Sequence, residues 1–136
     1  MTTDAFIHFD QIAGEAEDKE FLESIEVLAW NWGVQWQGDL YSREKSRGVA
    51  AVRHFTFQHH VDSATTALLS RCCTGALVPK VRFVMRRAAG SSALRFVEVL
   101  FQDVRVVVVS LAPAAATEAL PVESVTFAFE RVSFDY

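Results

Sequence analysis

Cysteine is nearly absent from this 136-residue chain: only Cys72 and Cys73 occur, and they are adjacent. Neighbouring cysteines cannot staple distant segments, which excludes the disulfide framework of small secreted domains and predicts folding in a reducing compartment. Proline and glycine are sparse too, at 3 and 6 copies, so collagen-like repeats and Pro/Gly-rich low complexity are excluded. The longest apolar run, Val106–Val109 extended through Leu111, is far below the roughly 18–20 residues of a membrane-spanning helix. No membrane insertion is expected. The N-terminus carries Asp4 where a secretory signal would carry a basic stretch and an apolar run, so export through the general secretory route is not expected.

What remains is an ordinary globular composition, 51% hydrophobic and 22% charged, in a length that suits a single domain over residues 1–136. Eleven Phe, three Trp and Val-rich stretches tilt the expectation toward strands, because aromatic and β-branched side chains suit a pleated, half-buried surface.

The hydrophobic pattern bears this out along the chain. Residues 6–12 form a short first strand, and an acidic loop follows at Glu15–Glu20. Residues 25–36 alternate as one long strand. Leu28, Trp30, Trp32, Val34 and Trp36 form its large face, expected to pack on the core, and the smaller or more polar Ala29, Asn31 and Gly33 lie opposite. The polar segment 37–48 is long for a hairpin connection, and ordered loops of that length are often functional. Residues 51–61 resume a strand with Phe55 and Phe57 on one side. Asp62-Ser63 then reads as a helix start, Ala64–Cys73 as the helix, and Gly75 as its C-terminal cap. Residues 77–89 alternate around Val81, Phe83 and Met85, with Lys80, Arg82 and Arg86 in the other phase. Residues 94–112 form one long strand, or two strands joined by a kink near Gln102-Asp103. The final segment alternates through Val125, Phe127 and Phe129, then continues in the opposite phase at Val132, Phe134 and Tyr136, the mark of a bend near Glu130-Arg131. Six or seven strands, one helix and no βαβ rhythm point to a mostly β fold, an antiparallel barrel or sandwich with a helix on its side.

Formal net charge is −4, which argues against a nucleic-acid partner. Its distribution is uneven. Residues 1–30 hold eight acids, including Glu15, Glu17 and Asp18, against the single base Lys19; residues 80–95 hold five bases, including Arg82, Arg86 and Arg87, and no acid. Such segregation suits head-to-tail contacts between identical subunits, or two faces that pair within one monomer.

A search for chemistry finds no catalytic or cofactor motif. His59 and His60 are neighbours in a strand and point to opposite faces, and His54 has no Cys or acid at ligand spacing, so no metal site is expected. Cys72 and Cys73 read as small buried hydrophobes. Nucleophile elbows, phosphate-cradling loops and dinucleotide fingerprints are absent. The chain is therefore not expected to be an enzyme or to bind a cofactor.

Several segments, in order, resemble the haemolysin-coregulated protein (Hcp) family of type VI secretion systems. They are the opening Phe6–Lys19, the segment Ile25-Glu26-Val27-Leu28-Ala29-Trp30-Asn31-Trp32-Gly33, the Phe55-Thr56-Phe57 strand, the helix with Leu68-Leu69 and Cys72, the long Val-rich strand, and the ending Glu123–Tyr136. The chain departs from the family at Ser42–Arg47, where members often carry Gly and Ser. The resemblance implies an antiparallel β-barrel with one flanking helix, like phage tail tubes. It also implies homohexameric rings stacked into the inner tube of a contractile machine, expelled with a spike inside a sheath and carrying effector proteins. Under it, Ala29, Asn31 and Gly33 are candidates for the lumen. Gln37, Asp39, Tyr41, Arg43, Glu44, Lys45 and Arg47 are candidates for contact with the next ring. Glu15, Glu17, Asp18, Arg82, Arg86 and Arg87 are candidates for subunit contacts. The protein would start in the bacterial cytoplasm and leave through the type VI machine without a signal peptide. A phage-type tail tube subunit and a small-ligand-binding β-barrel are the alternatives.

Overall fold

The structure is a computed structural model that describes residues 3–41, 48–89, 92–113 and 120–136. Among these residues it has ten strands and one helix: β1 (Thr3–Phe9), β2 (Ile25–Glu26), β3 (Ala29–Asn31), β4 (Val34–Gln37), β5 (Val49–Val52), β6 (Phe55–His60), α1 (Ala64–Thr74), β7 (Val78–Ala89), β8 (Ser92–Ala112), β9 (Val122–Ala128) and β10 (Arg131–Asp135). Eight strands form one antiparallel sheet in the order β2-β1-β7-β8-β9-β6-β3, with β10 on the free side of β8; β4 and β5 form a separate ribbon.

The two ends of that sheet are consecutive in sequence. Only Val27 and Leu28 separate β2 from β3. The Val27 N–H donates to the Ala5 carbonyl of β1 at 2.9 Å, and the Leu28 N–H donates to the Gln58 carbonyl of β6 at 2.8 Å. The chain thus steps from one end of the sheet to the other, and the sheet curls into a barrel-like shell. β8 serves both walls: its first half pairs with β7 and its second half with β9. The expected kink lies at Asp103, whose φ is +54°, a left-handed conformation that Asp tolerates better than most residues. The phase flip near Glu130 is a turn between β9 and β10, where the Glu130 N–H donates to the Gln102 carbonyl.

Phenylalanine fills the interior. Phe9, Phe55, Phe57, Phe83, Phe101 and Phe127 are each no more than 1% exposed. Phe55 lies 5.0 to 5.2 Å from Phe83, Phe101 and Phe127, ring centre to ring centre. Burying each such side chain contributes about 1.5–3 kcal/mol, and the rings occupy the space where a ligand-binding barrel keeps its cavity. Helix α1 closes one side through Ala64 and Leu68, both fully buried. It starts where Asp62 accepts the Ala64 N–H at 2.9 Å. It ends at Gly75 (φ +69°), whose N–H returns to the Arg71 carbonyl, a geometry glycine adopts without steric cost.

Two expectations need correction. Residues 25–36 are three short strands, and their faces do not run through. Ile25 and Val27 are buried while Leu28 is 48% exposed, because the alternation resets where the chain changes walls. Trp30 does pack inward, 6.1 Å from Phe55 and 5.1 Å from Phe83, and Trp32 lies edge-on to Phe101. Val34 and Trp36 leave with the ribbon and are exposed. The second correction concerns the cysteines: Cys72 packs against the core, but Cys73 is on the solvent side of α1.

Candidate assembly surfaces

The outer face of β3, β6, β9 and the second half of β8 follows from strand register. Asn31, Thr56, Thr126 and Val108 form one cross-strand row, and Ala29, Gln58, Ser124 and Ser110 form the next. Neither row contains a charge. The Thr56 and Thr126 hydroxyls share a 2.9 Å hydrogen bond, which keeps the surface polar yet partly self-satisfied. Ala29 and Asn31 therefore stand together on a flat neutral wall. Gly33 lies off it, between β3 and β4, where its carbonyl accepts the Arg53 N–H. The hydroxyl and amide partners on β6, β8 and β9 were missed in the sequence, although their alternation with Phe55, Phe57, Val125 and Phe127 signals an outward face.

Beside this wall projects the β4–β5 ribbon, paired from Val34↔Val52 to Gln37↔Val49. Trp36 lies over Gly48, where a Cβ would meet the indole at 2.0 Å, so any larger residue there would displace the ring. Val34, Trp36, Val49 and Val52 are nonetheless 47–69% exposed. A cleft of about 600 Å³ separates Asn31 and Thr56 on the wall from Gln35, Gln37 and Ala51 on the ribbon. At the ribbon's tip Asp39 accepts the Tyr41 N–H at 3.0 Å, and the Tyr41 side chain is 95% exposed. Of the candidates for contact with the next ring, Gln37, Asp39 and Tyr41 lie here; Arg43, Glu44, Lys45 and Arg47 lie outside the described residues.

The segregated charges meet, in part, inside one chain. Arg86 lies on the outer face with Arg82, as its phase predicts, yet it is only 8% exposed because the acidic loop folds over it. Its guanidinium binds both oxygens of Asp18, at 2.9 and 2.6 Å, and Asp4 at 3.2 Å. It lies 5.1 Å from the Phe6 ring centre and 5.5 Å from that of Phe21. Phe6, Ala16, Phe21 and Val84 form a second buried cluster there, so the acidic loop is fastened over the outer side of β1 and β7 by apolar contact and a bidentate ion pair together. The Arg86 hydrogen bonds, helped by the Glu20 N–H and opposed by desolvation, hold the Asp18 carboxyl down to about 2. Arg95 pairs with Glu20. Arg82 pairs with Glu98 at 3.2 Å, Arg87 lies over Phe96, Glu15 accepts the Ser63 N–H at 3.0 Å, and Glu17 is exposed.

One polar group is unlike the rest. His59 and Glu123, 1% and 0% exposed, face each other across the β6–β9 register. Among the described residues, no set of three His, Cys, Asp or Glu side chains is arranged to hold a metal ion, and no helix is long and apolar enough to cross a membrane.

A barrel whose interior is taken up by aromatic rings is packed as a structural barrel rather than a ligand container. Residues 6–136 match the family described as Type VI secretion system effector, Hcp. The chain belongs to this Hcp family. It is 30% identical to Protein hcp1 of Pseudomonas aeruginosa, over all of this chain and 84% of that protein. Its fold is similar to a type VI secretion system effector from Yersinia pestis, with a TM-score of 0.81 and 35% identity over 98% of this chain and 89% of that one. It is also similar to Hcp1 from Salmonella typhimurium, with a TM-score of 0.81 and 30% identity over 100% and 86% of the two chains.

Proposed function

We propose that the chain is the inner-tube subunit of a type VI secretion system. Six copies close into a ring, the rings stack into a tube, and the tube is expelled through the machine with a spike and a contracting sheath. The observation that carries this reading is the family match over residues 6–136. The surfaces support it. An apolar ribbon left uncovered by the described residues of its own chain suits burial against another copy, and a neutral polar wall suits a water-filled lumen through which effector proteins pass. Ala29 and Asn31 would line that lumen, with Gly33 at its rim. Gln37, Asp39, Tyr41, Arg43, Glu44, Lys45 and Arg47 would meet the next ring. Glu15, Glu17, Arg82 and Arg87 would contribute to subunit contacts, whereas Asp18 and Arg86 act within the protomer by holding the loop that carries the acids. The protein would assemble in the bacterial cytoplasm and leave through the type VI machine.

Native mass by light scattering, with negative-stain images of the same fraction, tests the reading. A mass near six subunits with ring-shaped particles is the expected result; a monomer at high concentration would overturn it. Charge reversal at Arg43, Lys45 and Arg47 should weaken ring stacking while leaving rings intact. Asn31→Gln should leave the ring intact and change effector retention; collapse to monomer would instead place Asn31 in a subunit contact.

A further inference from the structure

We propose that His59, Glu123 and Asp62 form a proton-sensitive anchor fastening the start of α1 to the β6–β9 wall, which acidification releases by protonating Glu123. The inference goes beyond the tube reading and does not rest on it.

The geometry sets this group apart from the other ion pairs. His59 Nε2 lies 3.4 Å from Glu123 Oε1, and His59 Nδ1 lies 3.9 Å from Asp62 Oδ1. Neither ring nitrogen and neither Glu123 oxygen completes a well-formed hydrogen bond. The ring therefore lies between two carboxylates, one on the sheet and one in the turn before α1. Asp62 is also the residue that accepts the Ala64 N–H at the helix start, so the imidazole links the sheet to the helix. A carboxylate this deep is held only by its polar neighbours, and removing one leaves it uncompensated.

The groups that face the ring are few. From β9 comes Glu123, from the turn before α1 Asp62, and from α1 Thr65, whose hydroxyl accepts the Asp62 N–H at 3.2 Å. The loop before β2 supplies Glu15, which binds the Ser63 N–H and bears on Asp62. β8 presents Leu111 opposite Glu123. Among the described residues no Lys or Arg makes an ion pair with any of these acids.

Burial alone would raise the Glu123 carboxyl, but His59 and Thr65 outweigh it and hold the group below the usual glutamate range. Its contribution to stability is therefore complete above that range and is lost as the pH falls through the lowered value. Asp62 works in the opposite sense. Burial raises it, against the Ala64 N–H and His59, so its contribution is complete below the usual aspartate range and fades as the pH rises through the raised value. Substitution, rather than pH alone, separates the two.

Hydrogen exchange of the full chain, corrected for intrinsic exchange and followed from pH 7 to pH 3, reads the anchor locally. Protection at the start of α1 should fall about tenfold more than protection in the centre of β7, the scale of leaving one buried polar group uncompensated. In Glu123→Gln the excess loss should vanish, with α1 already less protected at pH 7. If that variant does not fold, the double variant His59→Phe/Glu123→Leu, which replaces the charges by apolar groups, should fold and show the same flat response. Equal loss in α1 and β7 of the unaltered chain would overturn the proposal. So would an unchanged excess loss in either variant.

Discussion

The barrel and the ribbon are made of the same material and meet opposite fates. Phe55 and Phe57 on β6 are essentially inaccessible, whereas Val52 on the preceding strand is 47% exposed, as is Trp36 on β4, the strand paired with it. Both regions are antiparallel, and both alternate or cluster Val and aromatic side chains. The difference is who supplies the cover. In the barrel, the opposite wall of the same chain closes over each ring. The ribbon has two strands and, among the described residues, no opposite wall, and a lone two-stranded ribbon is marginal in water. Hydrophobicity records that a side chain needs cover; it does not record which molecule provides it.

The largest expected effect is in the barrel. Phe127→Ala removes a ring that lies 5.0 to 6.5 Å from Phe9, Phe55, Phe57, Phe101 and Phe129, and should cost about 3–5 kcal/mol. Denaturant unfolding measures it, and a loss below about 1 kcal/mol would mean the rings are not the core that holds the fold. Next is the fastening of the acidic loop. Arg86→Gln should cost about 2–3 kcal/mol, since it leaves buried contacts to Asp18 and Asp4 unmade. The same contact has a pH signature. Because Asp18 is held at about 2 against an ordinary value of 3.8, its contribution is complete above 3.8 and lost as the pH falls through about 2. The stability gap between the unaltered chain and Asp18→Asn should stay constant near neutrality, narrow below 3.8 and close near 2.

A smaller loss is expected at the helix end. Gly75→Ala places a Cβ at φ +69° and should cost about 1 kcal/mol, read in the same unfolding assay. The smallest effect on the isolated protomer belongs to the ribbon. Val34→Thr with Trp36→Ser should change its stability by less than about 0.5 kcal/mol, while light scattering reports weaker self-association. A large loss of protomer stability would erase the contrast between the two regions, and unchanged association would show that the ribbon is not covered by another copy.

Much of the fold was legible because one-sided burial leaves a period of two. The Phe55/Phe57 strand, the strand around Phe127, the helix from Ala64 and its glycine cap all emerged from local pattern, as did the kink near Asp103. Residues 25–36 misled because their alternation spans two changes of neighbour, at Val27–Leu28 and again beyond Asn31. Arg86 keeps the outward phase its alternation predicts, but its burial depends on the acidic loop folding over it, which local pattern does not record. Of the candidate surfaces, the position of Asn31 on an outer face was readable from alternation with Trp30. The row it shares with Thr56 and Thr126 needed the register between strands, which no local pattern contains. His59 and Glu123 are 64 positions apart and carry no mutual signal in the sequence.

The sequence alone determined the mostly β architecture, the single flanking helix and the family, because strand periodicity, capping residues and an ordered set of motifs are local properties of the chain. Tertiary structure alone decided which apolar groups stay uncovered, which acids and bases neutralise each other within one protomer, and that an acid and a histidine share the interior. Those outcomes depend on register and on where the chain crosses between walls, and both are settled by contacts between residues far apart in sequence.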